Sequence, residues 1–392
     1  MRLDRFCESI REQVLQRIDF SKEIEEESVK EVIIREIASR EEAAKYSIAQ
    51  RMTIEKRVFN SLRKLDILQE LIEDDEVTEI LVNGPEKIFY EKKGEMLEYE
   101  YSFASEEALQ NVIQQIVGKH NRVVNFTSPI VDTRLEDGSR VNVVLKPIAI
   151  DGTAISIRKF KKEPLDMQFM IKQGTITAEA AEFLRALVNN KYNLFISGGT
   201  SSGKTTFLNA LSAYIPKGER IITIEDSAEL RLQGIDNCVR LETRTMNTEG
   251  NKPITARDLI HTALRMRPDR IIVGECRGEE TLDMLQAMNS GHEGSLSTGH
   301  ANSTRDMLSR LETMVLMGSE LPLVAVRQQI ASGIDVLIHL EKGRDGVRRV
   351  VEIAEIIGIK EGEIETRILY GYDNALIKQN ELWKKGKRKN ED

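Results

Sequence analysis

The spacing of apolar positions changes along the chain. Near its start, Phe6, Ile10, Val14, Leu15 and Ile18 recur at three- and four-residue steps, and Val29, Val32, Ile33 and Ile37 repeat that spacing. A period of 3.6 residues places each set on one face of a helix. Dense charges of both signs fill the positions between, as on a solvated helix surface. Residues 1–68 are therefore expected to be a helical extension, either a small module or an arm for a partner.

Between 69 and 163 the pattern shortens. Val77-Thr78-Glu79-Ile80-Leu81-Val82 reads as a strand, Asn83-Gly84-Pro85 as a turn and Ile88-Phe89-Tyr90 as a second strand. Residues 108–117 read as a helix, and 140–145 and 154–158 as strands entered through Asp137-Gly138 and Asp151-Gly152. A compact α/β domain is expected, closed by the charged stretch Lys161-Lys162-Glu163-Pro164 and a linker over 164–174.

From 175 to 378, short runs with almost no polar residue alternate with helical segments. Leu194-Phe195-Ile196, Ile221-Ile222-Thr223-Ile224, Ile271-Ile272-Val273 and Val336-Leu337-Ile338 are such runs. They suit a mostly parallel sheet buried on both faces. A hairpin is expected around Gly343-Arg344-Asp345-Gly346, and 379–392 is a basic tail containing Lys384, Lys385, Lys387, Arg388 and Lys389. Such a tail is either simply solvated or a contact for anionic lipid or an acidic partner.

Composition narrows the classes. At 392 residues, 40% apolar and 31% charged, the chain is long enough for two or three soluble domains. A net charge of −8 argues against a dedicated nucleic-acid binder. No apolar run approaches the ~18 residues of a membrane span, and the charged start lacks a signal-peptide core. A cytoplasmic protein is expected, with peripheral membrane contact only. Cys7, Cys238 and Cys276 are far apart, so neither a zinc ribbon nor a disulfide framework is expected.

The strongest chemical signal is Gly198-Gly199-Thr200-Ser201-Ser202-Gly203-Lys204-Thr205, with Thr206 beside it, between an expected strand and an expected helix. Glycines let the backbone curl until successive N–H groups converge on phosphate oxygens, and the helix adds the positive end of its dipole. Lys204 is expected to reach the terminal phosphates of ATP, and Thr205 to hold Mg2+.

Two acids follow buried strands: Glu225 after Thr223-Ile224, and Glu275 after Ile272-Val273-Gly274. Either could act as base; Glu275 could also hold Mg2+ through water or orient the attacking water. Gly274 stands where an aspartate is common in this kind of metal-binding strand end. His292 and His300 flank a short expected strand, 295–298, and their pairing points to γ-phosphate sensing or coupling. Gly299 is expected to loosen His300. Arg240, Arg244, Arg257, Arg265, Arg267 and Arg270 lie between the acidic strands, and Arg134, Arg140 and Arg158 lie in the preceding domain. Their pattern alone does not choose among them.

These segments, with Leu264-Arg265-Met266-Arg267-Pro268-Asp269, closely resemble the type II/type IV secretion-system ATPase superfamily. Within it, Val82-Asn83-Gly84-Pro85, Asp137-Gly138-Ser139-Arg140-Val141-Asn142 and Ile157-Arg158-Lys159-Phe160 resemble the N-terminal domain of the CpaF/TadA-type ATPases of Flp/Tad pilus assembly. The resemblance implies a homohexamer of RecA-like α/β ATPase domains, each preceded by a smaller α/β domain. It implies ATP and Mg2+ as ligands and an inner-membrane platform as partner. Glu225, Glu275, His292, His300, Arg244 and Arg265 would be catalytic, and Arg140 and Arg158 would close over the nucleotide. The competing readings are a type IV secretion ATPase moving protein or DNA, and a RecA-like nucleic-acid motor.

Overall fold

The computed structural model describes residues 2–18, 25–119, 122–159, 166–244 and 252–383. The charged stretch 161–164 and the basic run 384–389 lie outside them. The chain divides into two compact units, Met1–Lys161 and Lys162–Asp392.

The first unit begins with helices α1 (Arg2–Arg17), α2 (Glu26–Ala38) and α3 (Ile48–Arg63). The expected stripe is what they bury: Phe6, Ile10, Val14, Val29, Ile33 and Ile37 close a small core with Ile54 and Val58 of α3. Leu15, grouped with that stripe by spacing, is exposed. Ser47 starts α3 with a reciprocal capping box to Gln50, which satisfies two backbone donors at the open helix end.

The unit continues with α4 (Leu68–Glu73), β1 (Val77–Asn83), β2 (Lys87–Lys92), β3 (Glu95–Glu98), α5 (Glu106–Gly118), β4 (Ile130–Arg134), β5 (Arg140–Val144) and β6 (Ala154–Arg158). The strands form one antiparallel sheet in the order β3-β2-β1-β6-β5-β4. Leu109, Val112, Ile113, Ile116 and Val117 of α5 face its apolar side. β3 has no buried residue and escaped the sequence reading because it lacks an apolar face.

The second unit holds α6 (Met167–Lys172), α7 (Ala178–Asn189), β7 (Leu194–Gly198), α8 (Lys204–Ser212), β8 (Ile221–Glu225), β9 (Cys238–Glu242), α9 (Ala256–Ala263) and β10 (Arg270–Val273). It ends with α10 (Glu280–Asn289), β11 (Leu296–Gly299), α11 (Thr304–Met317), α12 (Leu323–Gly333), β12 (Val336–Lys342), β13 (Arg348–Lys360), β14 (Glu363–Asp373) and β15 (Ala375–Lys378). Within the expected linker range 164–174 lies α6. Asp166 caps this helix, and Met167 and Met170 are buried in the unit's core. One turn and a half is too short to show a period in the sequence.

The nine strands run in the order β15-β14-β13-β12-β7-β11-β10-β8-β9, parallel from β12 to β9 and antiparallel from β12 to β15. Strands β7, β8, β10 and β11 are buried at every position. One face packs on α6, α7 and α8, the other on α9 to α12. Helices on both faces explain why these strands read as continuous apolar runs. In such a sheet the parallel strands end on a common edge, where the following loops gather.

Candidate active site

That edge collects β7, β11, β10 and β8 side by side, followed by Gly199, His300, Gly274-Glu275 and Asp226 respectively. Gly198 admits no side chain: a Cβ there would overlap the Leu340 carbonyl oxygen and lie 2.5 Å from Ser202 Oγ. Gly203 caps α8 with φ 94°, the left-handed region, which glycine enters without a steric penalty. The chain thus turns back from β7 into α8, bringing the helix N-terminus to the loop.

Lys204 is almost fully buried at the first position of α8. Its Nζ donates to Gly198 O at 3.0 Å and Gly199 O at 2.9 Å, and lies 3.3 Å from His300 Nδ1. A lysine ammonium only donates, so His300 Nδ1 accepts and the ring proton sits on Nε2, 3.0 Å from Glu275 Oε1. That approach is off line for a hydrogen bond, and Glu275 Oε1 is a buried oxygen with no hydrogen-bond partner. Burial lowers the pKa of Lys204. Burial also lowers that of His300, with help from Lys204 and Arg277 and against the pull of Glu275.

The other Glu275 oxygen, Oε2, accepts from Arg277 Nη2 at 2.8 Å, and Arg277 Nη1 pairs with Asp226 Oδ2 at 3.3 Å. Arg277 therefore ties the ends of β8 and β10 together. It was missed in the sequence because an arginine two residues after an acid is an ordinary surface pattern.

Glu225 Oε1 accepts from the Glu229 and Leu230 backbone N–H groups, both at 2.9 Å, while its Oε2 is buried without a partner. Burial pushes its carboxyl up to about 7, against those two bonds and nearby Arg240. At Gly299 the space of a side chain is already filled. Its missing side chain is replaced by Met307 and Phe195, whose atoms would lie 3.0 Å from a Cβ.

Not every expected residue joins this edge. β11 is four residues long, and at ~3.3 Å per residue it separates its two flanking segments by more than 10 Å. His300 follows it at the loop edge. His292 lies beyond its other end, where Ser295 Oγ donates to the His292 carbonyl and Asn193 Oδ1 accepts from Gly294 and Ser295. The His292 pairing with His300 is thus not realised within the chain.

Arg265 is exposed just past α9, before β10 begins, and so on the far edge as well. Arg244 is exposed beyond β9, the edge strand, four strand spacings from β7. Arg270 is fully buried and serves structure, pairing with Glu219 and donating to Val188 O at 2.7 Å. In the first unit, register places Arg134, Arg140 and Arg158 directly beside one another on β4, β5 and β6. An arginine that sequence reasoning missed is Arg348 on β13, whose Nε donates to Ser201 O at 2.9 Å.

Ser202 Oγ and Glu275 Oε1 are buried polar atoms without hydrogen-bond partners beside a buried lysine and a helix N-terminus, and Glu225 Oε2 is a third such atom at the end of β8. That set fits a phosphate chain with a hard cation. Among the described residues no three His, Cys, Asp or Glu side chains group to hold a metal, so Mg2+ would depend on nucleotide phosphates as ligands. An open cleft of about 520 Å³ starts at His300 and Arg277 and follows α11 past Asp306 and Arg310 to Met317.

The profile of the family described as type II/IV secretion system protein matches residues 61–345, most of the chain. The chain belongs to that family. Relatives include a Mycobacterium tuberculosis protein named for conjugal transfer, 34% identical over 316 residues, covering 79% of this chain and 89% of the relative. The type IV secretion system protein PtlH of Bordetella pertussis is 32% identical over 315 residues, covering 74% and 93%. The solved structure of the Legionella pneumophila ATPase DotB superposes with a TM-score of 0.53 at 23% identity, over 72% of this chain and 78% of that one. It shares the fold: a RecA-like α/β domain preceded by a smaller one.

Proposed function

We propose that the chain is a Mg2+-dependent ATP hydrolase that drives a pilus-assembly or secretion machine. The observation that carries the reading is the continuous set Lys204, His300, Glu275 and Arg277, joined across the ends of three neighbouring strands. When bound, Mg2+ supplies charge neutralisation at the phosphates, with Thr205 and Glu275 as the groups that would hold it, Glu275 through water. Lys204 leaves its own loop carbonyls for the terminal phosphates. Glu275 orients the attacking water, or Glu225 takes its proton; the unpartnered oxygen of each supports both roles. Neutral His300 donates from Nε2 and senses the γ-phosphate.

Phosphate release from MgATP tests this reading. The parent protein should turn over, Lys204→Ala should lose nucleotide binding or turnover by 100-fold or more, by ~3 kcal/mol of lost transition-state stabilisation, and Glu275→Gln should retain bound ATP. A parent without Mg2+-dependent release, or a Glu275→Gln protein turning over at the parental rate, overturns it.

Within the family, Flp/Tad pilus assembly is the favoured pathway, supported by the motif match of the first unit. The alternative, a type IV secretion ATPase moving protein or DNA, is favoured by the relatives named for conjugal transfer and type IV secretion. Adjacent pilin, prepilin-peptidase and platform genes would decide for the first. A homohexamer is proposed as the working form, with exposed Arg244 and Arg265 available to a neighbouring copy and the row of Arg140 and Arg158 binding phosphate. Light scattering with an ATP analogue should report six subunits; a persistent monomer would sink the ring. We place the protein at the cytoplasmic face of the membrane, docked on its platform. No helix among the described residues is long and apolar enough to cross a membrane.

A further inference from the structure

Behind the phosphate loop lies a polar row, running from a buried serine and histidine to a half-buried glutamate, that the hydrolysis reading leaves unused. Ser197 on β7, His339 on β12 and Glu352 on β13 stand opposite one another in the ladder, so their side chains share the sheet face covered by α9 to α12. Ser197 and His339 are buried, with Ser197 Oγ 2.8 Å from His339 Nδ1. Glu352 accepts a hydrogen bond from Thr304 Oγ1 at the start of α11, and its charge reaches the His339 ring together with that of Glu341. The ladder between β12 and β13 shifts register just after His339, a bulge of the kind that re-aims side chains beside active sites.

The row connects the two segments that meet in the site. Ser197 immediately precedes Gly198, whose carbonyl holds Lys204. Thr304 lies four residues after His300, at the first turn of the helix that the His300 segment enters. The contact between Lys204 and His300 closes the circuit on the other side. Packing alone does not require such a row: the rung next to it on the same face is Phe195 beside Leu337, wholly apolar. Buried polar groups cost free energy unless paired, and His339 Nε2 has no hydrogen-bond partner, so this serine and histidine are costlier here than the apolar pair beside them.

We propose that His339 is a positioning residue that couples the His300 segment to the phosphate loop, allowing the site to distinguish ATP from ADP. The proposal rests on the hydrolase reading. Opening the row at His339 frees the end of β7 from the start of α11, so Lys204 and His300 no longer hold one spacing. ADP, which lacks the phosphate that both groups address, loses little.

The experiment compares the full chain with His339→Leu, His339→Gln and Ser197→Ala. It measures affinities for a fluorescent ADP and a fluorescent non-hydrolysable ATP analogue, along with kcat and KM for MgATP. His339→Leu should lower kcat about tenfold and the ATP-analogue affinity about tenfold, with ADP affinity within about twofold of the parent. His339→Gln, whose amide still reaches Ser197, should recover most of both. Ser197→Ala removes a single hydroxyl and should reproduce the loss of discrimination even where His339→Leu fails to fold. Parental discrimination in both His339→Leu and Ser197→Ala overturns the coupling. Equal loss of ADP and ATP-analogue affinity without rescue by glutamine does so too, since that is the mark of a purely structural residue. A parent that neither binds nor hydrolyses nucleotide overturns the hydrolase reading instead.

Discussion

The Glu225 side chain occupies the space that a side chain on Gly274 would need: a Cβ built on Gly274 lies 2.9 Å from Glu225 Cγ. The Gly274 N–H donates to the Ile224 carbonyl at 2.8 Å, so the two strand ends cannot separate without breaking the ladder. The glycine where an aspartate is common is therefore a packing consequence of the neighbouring glutamate.

An aspartate placed there should harm the protein. Gly274→Asp is expected to cost about 1–3 kcal/mol through overpacking and to lower ATP turnover by displacing Glu225. Urea denaturation and phosphate release check both, and unchanged stability would show that Glu225 does not fill the space.

Glu225 also makes stability depend on pH. Its folded carboxyl titrates at about 7 against 4.5 for an ordinary glutamate, so the folded state holds the proton more tightly than the unfolded one. The resulting stabilisation is complete below about 4.5 and is lost as pH rises through about 7. Glu225→Gln stays neutral, and should be more stable than the parent by about 3 kcal/mol at pH 8, with the difference vanishing near pH 4.5. Turnover should fall in the same variant if Glu225 is the base. Equal denaturation midpoints at pH 5 and 8 for the two proteins would refute the shift.

Arg277→Ala removes the clamp between Glu275 and Asp226. The side chain is more than half exposed, so stability should change by less than ~1 kcal/mol. The loss should appear in catalysis, as a roughly tenfold lower kcat, ~1.4 kcal/mol of barrier. Steady-state kinetics beside a thermal melt separates the two effects. A normal kcat would leave Arg277 without a part in the reaction.

Glu219→Ala should do the reverse. It strands the fully buried Arg270 guanidinium, and breaking one side of a buried pair costs ~3–5 kcal/mol. The damage belongs to the sheet edge away from the loop, so kcat measured well below the melting point should stay near parental. A loss of stability under 1 kcal/mol would count against this reading of Arg270.

The local features were legible from residue order alone. A phosphate loop needs consecutive backbone N–H groups, glycines and a following helix, and all of these are contiguous from Gly198 to Thr206. The apolar runs of β7, β8, β10 and β12 revealed a sheet covered on both faces, because burial on both sides leaves no polar alternation. Short or half-exposed elements such as β3, α6 and the long β13–β14 hairpin carried too weak a period to be read.

Which distant residues meet depended on the order and register of strands that lie far apart in the chain. That order set Glu225 against Gly274, Arg277 between two acids, and His339 beside Ser197. It also left His292 and Arg265 on the far edge. The sequence placed the two histidines at opposite ends of one strand. Only the parallel packing of β11 against β7 decided that His300 is the one to face Lys204, because parallel strands present their loop-bearing ends on a single edge.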